Sequence, residues 1–253
     1  GLVYKPDHRH AFRASYSKAH RAPSYLESYW QQEVNSIPGF PLLLRGSLDN
    51  ASETIEALEV GYQGLIHENV LANVAVFHNA MDDLITMRTV ATYPSPPAPL
   101  EDIPAEMAFV NANSWTAVGG EVSLESDLKP WLRLSTQYSY VWLEDADTGA
   151  WMSRAPRHHA SVTARLRPGG GHQIAVTGRH RSRATWDPST WLEGDDGAAK
   201  AFTTLDITWS ARLDAGGHRA VVGIHNLFDS RYREHPLALE QKRRVLASLA
   251  MDF

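Results

Sequence analysis

Two pairs of adjacent residues in this 253-residue chain have the chemical types that metal and acid–base sites use: His158-His159 and Asp82-Asp83. Both pairs fall in or beside segments with strand-like alternation, where neighbouring residues point to opposite faces. We therefore do not expect the two histidines to hold one metal ion. For the same reason, we do not expect the two aspartates to act as paired catalytic carboxylates.

A catalytic triad and a phosphate-binding loop can also be assembled from residue types alone. Asp206, His225 and the many serines would permit nucleophilic catalysis, but no serine stands in a nucleophile-elbow context. Pro168-Gly169-Gly170-Gly171 is rich in glycine, yet no helix pattern follows to present N–H groups to a phosphate. The absence of cysteine excludes thiolate metal sites and cysteine nucleophiles. The chain is predicted to be no enzyme and to carry no cofactor or metal.

Composition limits the partners and the kind of membrane protein. Lys and Arg total 24 and Asp and Glu total 29, so the net charge of −5 argues against nucleic acid as a partner. A mean hydropathy of −0.33 excludes an α-helical membrane protein but not a membrane β-barrel, whose strands alternate apolar and polar residues. The first residues carry neither a start methionine nor a signal-peptide pattern, which indicates a piece of a longer protein.

Period-two alternation is the dominant pattern of the chain. Between residues 131 and 143 the even positions are nearly all apolar or aromatic and end in Tyr138, Tyr140 and Trp142, whereas the odd positions include Arg133 and Ser135. The same pattern predicts about ten strands, near residues 12–17, 54–66, 70–81, 107–126, 131–143, 160–167, 172–184, 205–213, 218–228 and 245–253.

The connections between these segments alternate between short and long. Short turns are predicted at 67–69, 126–130, 168–171 and 214–217, and long connections at 20–53, 82–106, 144–157, 185–200 and 229–241. This regularity is typical of an up-and-down antiparallel barrel. Alternation alone does not show whether the apolar face lies inside a soluble barrel or contacts lipid outside a membrane barrel. The aromatic residues Tyr138, Tyr140 and Trp142 beside a long connection favour a transmembrane barrel with its apolar face in lipid.

Aromatic and basic residues provide candidates for ligand contact. The aromatic candidates in the long connections are Tyr25, Tyr29, Trp30, Trp151, Trp186 and Trp191. They would suit a ligand of mixed polar and aromatic character, or they pack the loops and the membrane interface. Arg179, Arg181 and Arg183 would share one face, expected to line the lumen, where they could guide an anionic chelate or neutralise carboxylates.

Several segments resemble the motifs of TonB-dependent outer-membrane receptors. Residues 13–24, Arg-Ala-Ser-Tyr-Ser-Lys-Ala-His-Arg-Ala-Pro-Ser, resemble the family's barrel-strand-and-loop motif. Residues 58–63 resemble its E-x-G-Y strand, residues 76–85 its F-x-N-x-x-D-D-L-I segment, and residues 119–122 its G-x-E strand. Asn226-Leu227-Phe228-Asp229 with Tyr232 is similar to the N-L-F-D-x-x-Y motif. The terminal Phe253 is similar to the aromatic residue read by the outer-membrane assembly machinery.

The resemblance implies an all-β, antiparallel, up-and-down transmembrane β-barrel in the bacterial outer membrane. Residues 1–253 would be its C-terminal portion, about ten of about 22 strands, with the plug domain and the earlier strands lying outside the chain. It implies active uptake of a bulky nutrient, most often a ferric siderophore, energised through TonB. The alternatives are a passive outer-membrane porin and a soluble all-β binding protein.

Overall fold

A computed structural model describes residues 1–94, 102–185, 197–213, 217–236 and 238–251 of the chain. These residues form fifteen strands and one short helix. The strands are β1 (Leu2–Tyr4), β2 (His10–Arg21), β3 (Gln31–Ile37), β4 (Phe40–Arg45), β5 (Glu53–His67), β6 (Val70–Thr92), β7 (Pro104–Lys129), β8 (Leu132–Asp145), β9 (His158–Gly169), β10 (His172–Arg181), β11 (Ala184–Thr185), β12 (Ala198–Ala199), β13 (Phe202–Arg212), β14 (Arg219–His225) and β15 (Arg244–Ala250). The helix α1 (Tyr25–Tyr29) lies between β2 and β3.

One large sheet contains most of these strands. Its order is β1-β2-β5-β6-β7-β8-β9-β10-β13-β14-β15, and every neighbouring pair along it is antiparallel. Within the described residues, β1 and β15 are not paired with each other, so the sheet is an open wall. Each of the ten strands predicted from the alternation corresponds to one strand of this wall, and the predicted up-and-down topology is confirmed.

Some predicted connections are wrong because strands extend into them. Most of 82–106 is the continuation of β6 and β7, which pair as far as Thr92 and Pro104. Strand β7 runs on to Lys129, so the turn predicted at 126–130 lies at residues 130–131. The connection 20–53 contains α1 and the β3–β4 hairpin. The predicted turn at 214–217 and the connection 185–200 lie mainly outside the described residues.

The two faces of the wall differ in the way expected for a membrane barrel. Leu58, Val60 and Val76 share one face across β5 and β6, and their exposed fractions are 52%, 49% and 54%. In contrast, Thr204, Asp206, Ser210 and Asn226 are buried. An apolar face of this extent left open to water would be unfavourable, but it is stable against lipid. This distribution opposes the soluble alternative, in which the apolar face would be internal.

Among the described residues, no helix has the length and apolar character needed to cross a bilayer.

Candidate functional site

The polar face of the wall is concave and forms an open cavity of about 540 Å³. The strand register places Glu121 between Ala75 and Ser139, and Ser139 beside His159, so lumen-facing residues of four strands stand at one level and three of them are polar. The polar residues that line this cavity include Arg13, Gln63, Asn73, Glu121, Gln137, Ser139, His159 and Ser161. This surface is suited to contact polar groups inside the barrel, as expected for the lumen side.

The predicted lumen arginines differ in their surroundings. Arg179 and Arg181 belong to β10 and face the lumen, whereas Arg183 lies beyond the end of that strand. Arg179 Nη1 lies 2.6 Å from Oδ2 of Asp206 on β13. Arg179 therefore neutralises a wall carboxylate, which is the second of the two roles considered from the sequence.

Asp206 connects three strands of the wall. Besides Arg179, it accepts a hydrogen bond from the Asn226 backbone N–H at 2.8 Å, and His225 Nδ1 lies 3.3 Å away. The structure thus brings Asp206 and His225 together, as a triad would require. The other partners of the carboxylate are an arginine and a backbone amide, and this arrangement anchors the end of β14 to β13.

The N-L-F-D-x-x-Y motif forms a folded loop after β14. Asn226 and Asp229 both have φ near +55°, a conformation that asparagine and aspartate tolerate better than most residues. The Asn226 side chain donates to the Ser230 carbonyl at 2.7 Å and accepts from its N–H at 3.1 Å. Tyr232 then stacks on Phe202 of β13, with ring centroids 4.0 Å apart. The motif therefore returns the chain onto the wall.

The two adjacent polar pairs are placed differently. His158 Nδ1 lies 2.8 Å from the Tyr138 hydroxyl on the apolar face, whereas His159 lines the polar cavity, so the opposite-face prediction is confirmed. Strict alternation fails at Asp82-Asp83, because the β6–β7 register shifts between Met81 and Leu84 and Asp83 adopts φ +57°. A β-bulge of this kind redirects side chains locally.

A second candidate surface is formed by residues 22–52, which we call the rim segment because they follow the long-loop end of β2. Helix α1 begins with a capping box: the Ser24 hydroxyl accepts from the Glu27 N–H, and the Glu27 carboxylate accepts from the Ser24 N–H at 2.7 Å. The β3–β4 hairpin then folds back, and β4 pairs in parallel with β7 through Leu43–Arg45. Arg45 also forms a salt bridge with Glu106 of β7.

Arg21 joins the rim segment to the wall. Its guanidinium forms two hydrogen bonds with Glu27 at 2.9 Å each and two with Glu53, the first residue of β5, at 2.5 and 2.6 Å. Glu53 also accepts from the Ile85 N–H on β6 at 2.8 Å. Hydrogen bonds from Arg21 lower the pKa of Glu27 to about 2. We call this set of contacts the Arg21 clamp.

Close backbone packing completes the docking of the rim segment. Gly46 donates to the Trp30 carbonyl at 2.6 Å, and a Cβ atom at Gly46 would lie 2.6–2.8 Å from the backbone of α1. Glycine is thus required at this close approach. The Asn111 side chain of β7 accepts from the Ala51 N–H at 2.7 Å and donates to its carbonyl at 3.1 Å.

The predicted aromatic candidates do not form one cluster. Tyr25 and Tyr29 stack on each other with centroids 5.1 Å apart and are 81% and 60% exposed. Trp30 instead packs against Phe109 of β7 at 6.2 Å, which matches the loop-packing alternative. Trp151 contacts Trp142 on the apolar face. Trp186, Trp191 and Phe253 lie outside the described residues.

Sequence reasoning missed the Arg21 clamp. The Ser-x-x-Glu spacing of residues 24–27 is a recognisable helix-start signal and could have identified the capping box. No local signal connects Arg21 with Glu53, because they are 32 positions apart and meet only through the pairing of β2 with β5.

Comparison with known proteins identifies the family. Residues 1–227 match the family "TonB dependent receptor-like, beta-barrel". A crystal structure of the ferric enterobactin receptor PfeA from Pseudomonas aeruginosa superposes with a TM-score of 0.76 at 16% identity, covering 97% of this chain and 38% of that one. The siderophore receptor PirA from Acinetobacter baumannii gives 0.77 at 20% identity, covering 99% and 40%. The copper transporter OprC gives 0.74 at 15% identity, covering 99% and 38%. No match was found among curated proteins.

The exposed apolar face, the polar lumen face and the up-and-down order define the wall of a membrane-spanning β-barrel. The chain belongs to the TonB-dependent receptor β-barrel family. Barrels of this family reside in the outer membrane of Gram-negative bacteria, and family members are transport receptors that work with TonB. The chain spans about two fifths of the length of the PfeA, PirA and OprC chains.

Proposed function

We propose that this chain is the C-terminal part of the barrel of a receptor that takes up a ferric siderophore or a similar iron complex, energised through TonB. The family match over residues 1–227 carries the proposal. The siderophore receptors PfeA and PirA superpose on nearly the whole chain and support the substrate class. In this proposal the plug domain and the earlier strands lie outside the chain.

Energy dependence separates this function from a passive porin. A porin passes solute down its gradient, whereas a plugged receptor must be opened by work delivered from the inner membrane. We expect cells carrying the intact receptor to bind iron-labelled ferric enterobactin at their surface with or without an uncoupler. Accumulation should collapse when the proton gradient is dissipated. Accumulation that survives the uncoupler would favour the porin, and uptake of copper ions in place of the iron complex would overturn the substrate class.

We propose Tyr25 and Tyr29 as ligand contacts of the rim segment. They are an exposed stacked pair on α1, whose position is fixed by the capping box, the Arg21 clamp and the close approach of Gly46. Replacing both with alanine in the intact receptor should weaken ferric enterobactin binding about tenfold or more, since stacking faces each contribute on the order of 1 kcal/mol. Equilibrium binding to whole cells measures this effect.

The matched control is Tyr16→Ala. Tyr16 is also 60% exposed, but it pairs with Leu58 on the apolar face and should not contact a ligand. Equal losses in the Tyr25/Tyr29 variant and in the control would count against a ligand site on α1.

A further inference from the structure

Arg157 lies between two tryptophan rings. Its guanidinium carbon is 4.1 Å from the centroid of the Trp151 ring and 4.5 Å from that of Trp142, and the two rings are 6.3 Å apart. The Nε atom is buried and has no hydrogen-bond partner. No carboxylate of the described residues lies within salt-bridge distance of Arg157. Stacking thus holds the guanidinium in place, and no carboxylate in the described part of the chain neutralises its charge.

The register of the wall places this group at the border of the apolar face. Trp142 pairs with Val118 on that face, and Val118 is 43% exposed. One step further toward the long loops, the residues paired across the strands on this face include several charged side chains. These paired residues are Lys18, Glu56, Ala80, Thr116 and Glu144. The apolar face therefore ends at the level of Trp142. Tryptophan and arginine at such a border lie at the level of lipid headgroups.

Two properties of the site select its ligand. A stacked guanidinium is weakly hydrated and presents planar N–H donors that match the oxygens of a phosphate. Its neighbours Trp142 and Trp151 present apolar surface on the lipid side of the wall. The acyl chains of a lipid can pack against this surface, whereas a soluble anion has no apolar part that could do so. Glu144 lies nearby and accepts a hydrogen bond from Trp142 Nε1 at 3.0 Å, which fixes the indole.

We propose that Arg157, held between Trp142 and Trp151, binds the phosphate of a lipid headgroup on the outer wall of the barrel. The proposal rests on the membrane position of the family's barrels and not on which nutrient is transported. Its failure would therefore leave the uptake function untouched. If Arg157 binds no lipid, its stacking serves only to hold residues 146–157 against β8.

The intact receptor in detergent can be mixed with phosphatidylglycerol or with an uncharged galactolipid of the same acyl chains, and its lipid adducts counted by native mass spectrometry. We expect the wild type to prefer phosphatidylglycerol about fivefold, the contribution of one basic residue at an anionic membrane surface. Arg157→Gln should remove this preference. Arg157→Lys, which keeps the charge but loses the planar fork, should retain less than half of it.

Arg154→Gln is the matched control. Arg154 stacks at 5.1 Å on Trp115, whose position on β7 shares the lumen face with Glu121, and its loss should leave the lipid preference unchanged. An equal preference in wild type and Arg157→Gln would overturn the proposal, as would a wild type that does not distinguish the two lipids. Complete displacement of the lipid by an equal concentration of inorganic phosphate would also overturn it, because the acyl chains would then contribute nothing.

Discussion

Val76→Arg in the intact receptor is expected to lower the free energy of unfolding in lipid vesicles by about 2 kcal/mol or more. An arginine on the lipid face of a β-barrel costs about 2–4 kcal/mol at the bilayer midplane and less toward the rims. Val76 is 54% exposed, and its neighbours across the ladder are Val60 and Gly120, so nothing polar stands beside it to accept the charge. Reversible unfolding in denaturant, followed by tryptophan fluorescence, measures the difference.

Ala75→Arg is the control, one position away on the lumen face. Ala75 pairs with Glu121, which can accept the new guanidinium, and both line the open cavity. Its penalty should be well below that of Val76→Arg. Equal penalties would contradict the assignment of Val76 to the lipid face, and a larger penalty at residue 75 would show that the two faces are reversed.

Arg21→Met is expected to release the rim segment from the wall at neutral pH. The variant loses four hydrogen bonds to carboxylates and leaves Glu27 and Glu53 facing each other without their shared cation. Arg21 is about half exposed, so we expect a loss near the lower end of the range for charged hydrogen bonds, about 2 kcal/mol for docking of the segment. Hydrogen exchange of the α1 and β4 amides, corrected for intrinsic rates, reports the docking.

The pH dependence of this docking should reverse in the variant. In the wild type the pKa of Glu27 is lowered to about 2 by its hydrogen bonds with Arg21, so its contribution is fully present above about pH 4.5 and is lost as the pH falls toward 2. In Arg21→Met, protonation of the carboxylates removes their repulsion, so docking should improve as the pH falls.

Lys18→Met provides the comparison for the Arg21 clamp. Lys18 forms a 2.7 Å ion pair with Glu56 on the same two strands, but the Glu56 side chain is 41% exposed, whereas Glu27 and Glu53 are 13% and 15% exposed. The ion pair joins β2 to β5 and does not include a residue of the rim segment. Exposed pairs of this kind contribute little, so α1 and β4 should remain protected. Similar loss of protection in both variants would mean that Arg21 acts through the β2–β5 pairing and not through the clamp.

The strands were predictable because their signal is local. Alternation of apolar and polar residues along 131–143 depends only on successive side chains pointing to opposite faces, and β8 indeed runs from Leu132 to Asp145. The extent of β6 and β7 was not predictable in the same way. Beyond Met81 their alternation is broken by a bulge, and the extension is stabilised by pairing of β7 with β4, which lies some 60 positions earlier in the chain.

The sequence by itself determined the up-and-down order of the ten main strands and the likeness to TonB-dependent receptors. Both depend on local signals: alternation within each strand, the lengths of the connections, and short motifs. Which aromatic residues of the rim segment are exposed was decided only by tertiary structure. Tyr25, Tyr29 and Trp30 are close in sequence, yet the first two stack in the open while Trp30 packs on Phe109. The same holds for Arg179, whose partner Asp206 comes from a neighbouring strand. Side-chain contacts between distant segments depend on register and on close approaches such as that at Gly46, and these arise only when the sheet has formed.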